Sequence, residues 1–186
     1  MATIIDSYSE SNQSSVIVVS AGEFSAVGQS FTGDGNVLDS AKFYLSKNGT
    51  PTGNAYVKIY AETHSTAFGT DSLPTGAVLA TSDAFDVSTL TSSLQLSTFT
   101  FSGAEKIRLT NGVKYVVVFE YTAGNPYADN ISVGEDGSSP THSGNMSYYG
   151  GSWSYDTGID VCFYVYGETT PIVGEKYPLP PFRRSV

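Results

Sequence analysis

Residues that usually carry chemistry are scarce in this sequence. There is one cysteine, Cys162, so no disulfide can close within the chain. Its setting, Asp160-Val161-Cys162-Phe163-Tyr164-Val165-Tyr166, reads as a buried strand position. Histidine is limited to His64 and His142, and no Gly-x-Ser-x-Gly elbow accompanies them, which argues against a serine-hydrolase triad. Positive charge is thin: nine Lys and Arg stand against eighteen Asp and Glu, for a formal net charge of −9. Phosphate backbones are held by basic side chains that displace counterions, so nucleic acid is not an expected partner. No apolar run is long enough to cross a bilayer, and Met1-Ala2-Thr3-Ile4-Ile5-Asp6 lacks the basic-then-apolar start of a signal peptide. Membrane insertion is therefore not expected. No window carries a convincing helical period, which disfavours the helical fold classes.

What is present suits strands. Hydrophobic residues make up 40% of 186 positions and aromatics 13%, with 19 Gly and 13 Tyr. Aromatic and β-branched side chains favour a pleat, and Gly supplies tight turns. In Val37–Leu45, Ala41, Phe43 and Leu45 alternate with Lys42 and Tyr44, the pattern of a half-buried strand. Ala55–Ala61 alternates in the same way with Lys58 outward, and the Lys47–Gly53 stretch between them, built on Asn48-Gly49, predicts a hairpin. Further strands are expected at 14–20, 28–32, 78–87, 94–102, 114–121, 130–134, 144–149 and 158–166. Short breaks and no crossover helices imply an all-β, antiparallel β-sandwich or barrel, read as one domain over residues 1–167. The stretches 64–75 and 122–129 read as exposed connections.

Beyond Gly167 the character changes. Prolines at 171, 178, 180 and 181 rule out a central strand or a helix, so residues 168–186 are expected to form an extended arm. Ile172, Val173, Tyr177, Leu179 and Phe182 are too apolar to leave in water, and Arg183 and Arg184 follow with no acid after them. Such an arm is expected to dock, on its own domain or on a neighbour. The Ile4-Ile5 segment is open in the same way, as a strand for its own sheet or for a neighbour's.

Three further groups are candidates for chemistry. Glu62, Glu120 and Glu135 offer carboxylates for glycoside hydrolysis, although Glu120 in an alternating strand is expected to face solvent. Asp34 and Asp39 flank one Gly-rich turn and Asp156 and Asp160 another, as calcium ligands would, or as carboxylates that bond their own turn backbone. Tyr148, Tyr149, Trp153 and Tyr155 surround Gly150-Gly151, where exposed rings would stack on a glycan or, by alternation, enter the core.

A resemblance emerges from the motifs taken in order: Gly28-Gln29-Ser30-Phe31-Thr32; Ser46-Lys47-Asn48-Gly49-Thr50-Pro51-Thr52-Gly53 leading into Val57-Lys58-Ile59-Tyr60; Leu73 to Ser82; Ile107 to Val118; Gly151-Ser152-Trp153-Ser154 and Phe163 to Gly167. Over residues 28–167 the chain resembles the jelly-roll modules called choice-of-anchor R domains. The resemblance implies a jelly-roll β-sandwich of the kind found in bacterial surface proteins and in phage structural proteins, with no catalytic residues. The chain is therefore expected to be a non-enzymatic structural protein of a particle, located in a virion or on an extracellular surface. In that role it would decorate a capsid or build a tail or fibre, fastened to other protein subunits through its C-terminal arm and forming a homo-oligomer. A carbohydrate-binding module is the alternative. No cofactor is expected beyond the calcium alternative.

Overall fold

The structure, a computed structural model, describes residues 1–169. Its strands are β1 (Thr3–Tyr8), β2 (Ser15–Val19), β3 (Ala26–Thr32), β4 (Val37–Asn48), β5 (Asn54–Thr63), β6 (Leu73–Thr81) and β7 (Phe85–Asp86). They continue with β8 (Gln95–Thr100), β9 (Lys114–Glu120), β10 (Asn130–Asp136), β11 (Met146–Tyr149), β12 (Trp153–Asp156), β13 (Asp160–Val161) and β14 (Phe163–Glu168). One sheet runs β1-β14-β4-β10-β13, with β2 added on β10 and β8 on β4. The other runs β12-β11-β3-β9-β5-β6, with β7 on β5. Every pairing is antiparallel. The all-β sandwich expected from the alternation is the observed fold.

Between the sheets lies one apolar core. Ala41, Phe43 and Leu45 of β4 face Val57 and Ile59 of β5, all fully buried, and Phe43 and Phe99 each meet Phe119 with ring centroids about 5.9 and 5.8 Å apart. Each such ring withdrawn from water contributes about 1.5–3 kcal/mol, before the entropy of ordering it is subtracted. A register shift opposite Tyr166/Gly167 resets the parity of β4 at Asp39, so Leu38 also points inward.

The expected hairpin of β4 and β5 is not formed: the two strands lie in opposite sheets. A two-residue turn on Asn48-Gly49 would need positive φ at both positions, yet among the described residues only glycines have it, Gly49 at 69°. The link instead crosses the sandwich and packs on the 122–129 loop, where the Thr50 amide donates to Asp129 Oδ1 at 2.7 Å. The strand expected over 78–87 starts earlier, at Leu73, and breaks where Ser82 Oγ accepts the Val57 amide before β7 begins. That start also shortens the connection expected over 64–75. Ile4-Ile5 belongs to β1, which pairs with β14 of its own chain.

The second sheet is strongly curled. Trp153 on β12 and Tyr60 on β5 are four strands apart, about 19 Å in a flat sheet, but their ring centroids are 6.2 Å apart. The curl folds the outer face of this sheet over Ala26, Val116 and Val118, which are buried there. Residues Tyr115 to Phe119 of β9 are consequently buried on both faces, which accounts for the unbroken apolar run in its sequence.

Candidate functional site

The curl produces an aromatic groove. Gly150–Ser152 joins β11 to β12, with Gly151 at φ 99°, and places Tyr149 directly opposite Trp153. The Tyr149 and Trp153 rings meet edge to face at 5.3 Å, and Trp153 meets Tyr60 in the same manner. Ala26, Val116 and Val118 underlie these rings. Ser25, Glu120 and Thr122 complete a groove of about 350 Å³. Lys58 Nζ donates to Glu120 at the rim, so Glu120 is half-buried and paired rather than facing solvent as its alternation suggested. Burial pushes the Tyr60 hydroxyl above the usual tyrosine value, only partly offset by Lys58. Apolar rings beside a carboxylate, an ammonium and hydroxyl groups suit a ligand with apolar C–H faces and many hydroxyls.

The four aromatic residues singled out in the sequence are divided. Tyr149 and Trp153 enter the groove. Tyr155, about half exposed, shares their side of β12 by alternation. Tyr148 points the other way, packing on the central core and on Phe24 at 4.8 Å. Tyr60 was not anticipated, because nothing local to β5 announces that β12 curls over it.

The acidic candidates are each used singly. Asp34 Oδ1 accepts the Asn36 amide and Asp156 Oδ1 the Gly158 amide, as turn-forming aspartates do. Asp39 pairs with Lys106 at 2.8 Å. Asp160 is buried, accepting from Gln29 Nε2 and the His142 amide, and its carboxyl is raised by burial despite those bonds. Among the described residues, no group of three or more His, Cys, Asp or Glu side chains is placed to hold a metal ion. Glu62 sits on β5 beside His64, with Oε1 2.9 Å from Nδ1, while Glu120 and Glu135 lie on β9 and β10.

His142 is built into the sandwich. Its Nδ1 accepts the Gly144 amide at 3.0 Å, which leaves Nε2 to donate to Asp6 Oδ1 at 3.2 Å. Burial opposes ionisation of Asp6, but the His142 contact and the amides of Thr32 and Ser7 hold its carboxyl below the usual range. Cys162 is fully buried, and burial together with the nearby acids pushes its thiol up to about 12.

No family model, curated protein or solved structure matches the chain. Among the described residues, no helix is long and apolar enough to cross a membrane. The arm candidates Ile172, Val173, Tyr177, Leu179, Phe182, Arg183 and Arg184 lie outside the described residues.

The groove also has a defined place on the molecule. The 33–36 turn joins β3 to β4 at the pole where Glu168 pairs with Val37 and Thr3 with Gly167. Ala26, Glu120, Tyr149 and Trp153 cluster toward the other pole, where the Tyr121 hydroxyl donates to Thr52 O of the β4–β5 link. The chain thus leaves the sandwich from the pole opposite the groove.

Proposed function

We propose that the protein is a non-enzymatic display module of the choice-of-anchor R kind, a structural component of a phage-type particle surface held by its C-terminal arm. One observation carries this reading: the last strand delivers the chain beside the N-terminus at one pole, and the groove and the 122–129 loop occupy the other. A tether at one end with recognition surfaces at the other is the layout that display requires. Apolar residues spaced by prolines lose little entropy on ordering and are well suited to fasten such a module to a neighbouring subunit. Removing residues 170–186 is expected to convert an oligomer to a monomer in size-exclusion chromatography with light scattering, with the melting transition retained. The same number of chains per particle for the full and shortened proteins would refute the attachment.

A second reading is favoured by the groove itself. A saccharide could lay a C–H face on Trp153 or Tyr149 and direct hydroxyls to Glu120, Ser25 and Thr122. Trp153→Ala is expected to abolish retention on a glycan array, while removal of the arm leaves that retention intact. Equal retention by Trp153→Ala and the parent would eliminate this reading.

A further inference from the structure

A second recess lies on the flank of the sandwich, between β2 of one sheet and the β11–β12 hairpin of the other. It encloses about 410 Å³, and Val16, Phe24, Met146 and Tyr148 form apolar walls. Among the described residues β2 is an edge strand that pairs with β10 alone, and Val16 on it is 43% exposed, an arrangement that soluble sandwiches usually cover or charge.

The recess contains an unbalanced acid. Ile131, Val133 and Glu135 share the inward face of β10, so the Glu135 carboxylate follows two core residues toward the interior and is only 6% exposed. Ser15 Oγ donates to its Oε1 at 3.1 Å, but among the described residues its Oε2 has no hydrogen-bond partner. Burial raises this carboxyl, and the charge of Asp156 raises it further. Glu23 and Asp156 line the same recess. A buried acceptor without a donor is unfavourable, and a cation brought to it removes that cost.

The chain has few cations to offer. Lys42 lies over the Tyr166 ring, Lys47 donates to Ser88 O, Lys58 to Glu120, Lys106 to Asp39, Arg108 to Gly35 O and Lys114 to Thr32 Oγ1. The remaining three of the nine basic residues are Lys176, Arg183 and Arg184, the last two directly after Phe182. An apolar recess with an orphaned carboxylate matches a bulky apolar side chain next to a guanidinium, whose planar fork pairs with carboxylates.

We propose that this flank recess is the receptor for the Leu179–Arg184 segment of the C-terminal arm of a second copy of this chain, with Phe182 against the apolar walls and an arginine on Glu135. Reach permits it: the chain from Glu168 to Phe182 can extend up to about 45 Å, and the twelve-residue β4 is about 40 Å long. The proposal rests on the arm-attachment reading and adds where the arm seats.

The test places a photo-crosslinking benzoylphenylalanine at position 182 of the full-length protein, prepared as a mixture of isotopically light and heavy chains. Adducts are expected on Val16–Val18, Met146 or Tyr148 in mixed-isotope pairs, and adducts confined to single chains would overturn seating by a second copy. Glu135→Gln, which is close in shape, is expected to lower adduct yield about tenfold while the circular dichroism melt does not fall. Arg183→Glu with Arg184→Glu is expected to do the same from the other side. Adducts gathered on a different face would overturn the recess and leave attachment standing. Absence of adducts, with trypsin trimming the arm without change in the number of chains per particle, would overturn both.

Discussion

At the scale of single residues, the sandwich spends its titratable groups on structure, and neighbouring carboxylates are driven in opposite directions. Asp136 accepts the Ser138 and Ser139 amides, the Ser138 and Ser14 hydroxyls and the Tyr8 hydroxyl at 2.8 Å. The Ser138 amide and the Tyr8 hydroxyl lead in holding its carboxyl far below the ordinary value of 3.8. In the folded state Asp136 stays ionised where the unfolded chain would take up a proton. Its contribution to stability is therefore complete above 3.8 and declines as pH falls toward the depressed value. Glu135, next to it in sequence, is raised, so it opposes folding as pH rises through its elevated value and ceases to do so below its ordinary 4.5. Asp136→Asn is expected to lower the urea midpoint at pH 7, by a margin that narrows as pH falls below 3.8 toward the depressed value. A constant offset between the two curves from pH 7 to pH 2 would show that the depressed carboxyl is not the source. None of this was legible in the sequence, where Asp136 is one acid among eighteen and its partner Tyr8 lies 128 positions away.

Single elements were legible wherever a pleat has one wet side. β4 and β5 alternate cleanly because each buries one face, and their extents follow from that. Their partnership did not follow, because a hairpin and a crossing link both join two amphipathic strands that share one core. The choice falls to a backbone detail, the absence of positive φ at Asn48, and to Asp129 from a distant loop. The groove was half legible for a related reason. The Tyr149–Trp153 pair declares itself around Gly150-Gly151, but the curl that brings Tyr60 over them, and so buries β9 on both faces, joins strands far apart in the sequence. Gly28 of β3 lies close against β9, opposite Val118: a Cβ there would meet Val117 O at 2.8 Å, Val118 Cγ2 at 2.9 Å and Val116 Cγ1 at 3.0 Å. Backbone cannot yield as a flexible side chain would, so Gly28→Ala is expected to destabilise by about 1–3 kcal/mol. For a chain of this size that is a fall of roughly 2–12 °C in melting temperature. An unchanged melt would mean that the sheet opens there at no cost, and the groove would then lack a rigid floor.

At the scale of the whole molecule, the first and last strands of the sandwich close on one another, with Thr3 opposite Gly167 and Tyr8 opposite Phe163. Loss of either strand therefore exposes the edge of the other. The same pairing brings the N-terminus to the pole where Glu168 ends the last strand, so on the proposed attachment through residues 170–186 cargo placed before Met1 competes for space with the attached neighbour. The 122–129 loop lies at the far pole, and its Tyr127 is 93% exposed. A small folded domain fused before Met1 is expected to reduce the oligomer fraction in sedimentation, whereas the same domain inserted beside Tyr127 leaves it unchanged. The comparison controls for size, since the added mass is the same and only the pole differs. Equal oligomer fractions for the two fusions would mean that the pole at Glu168 is not the attached end, and a layout with the groove facing outward would lose its support.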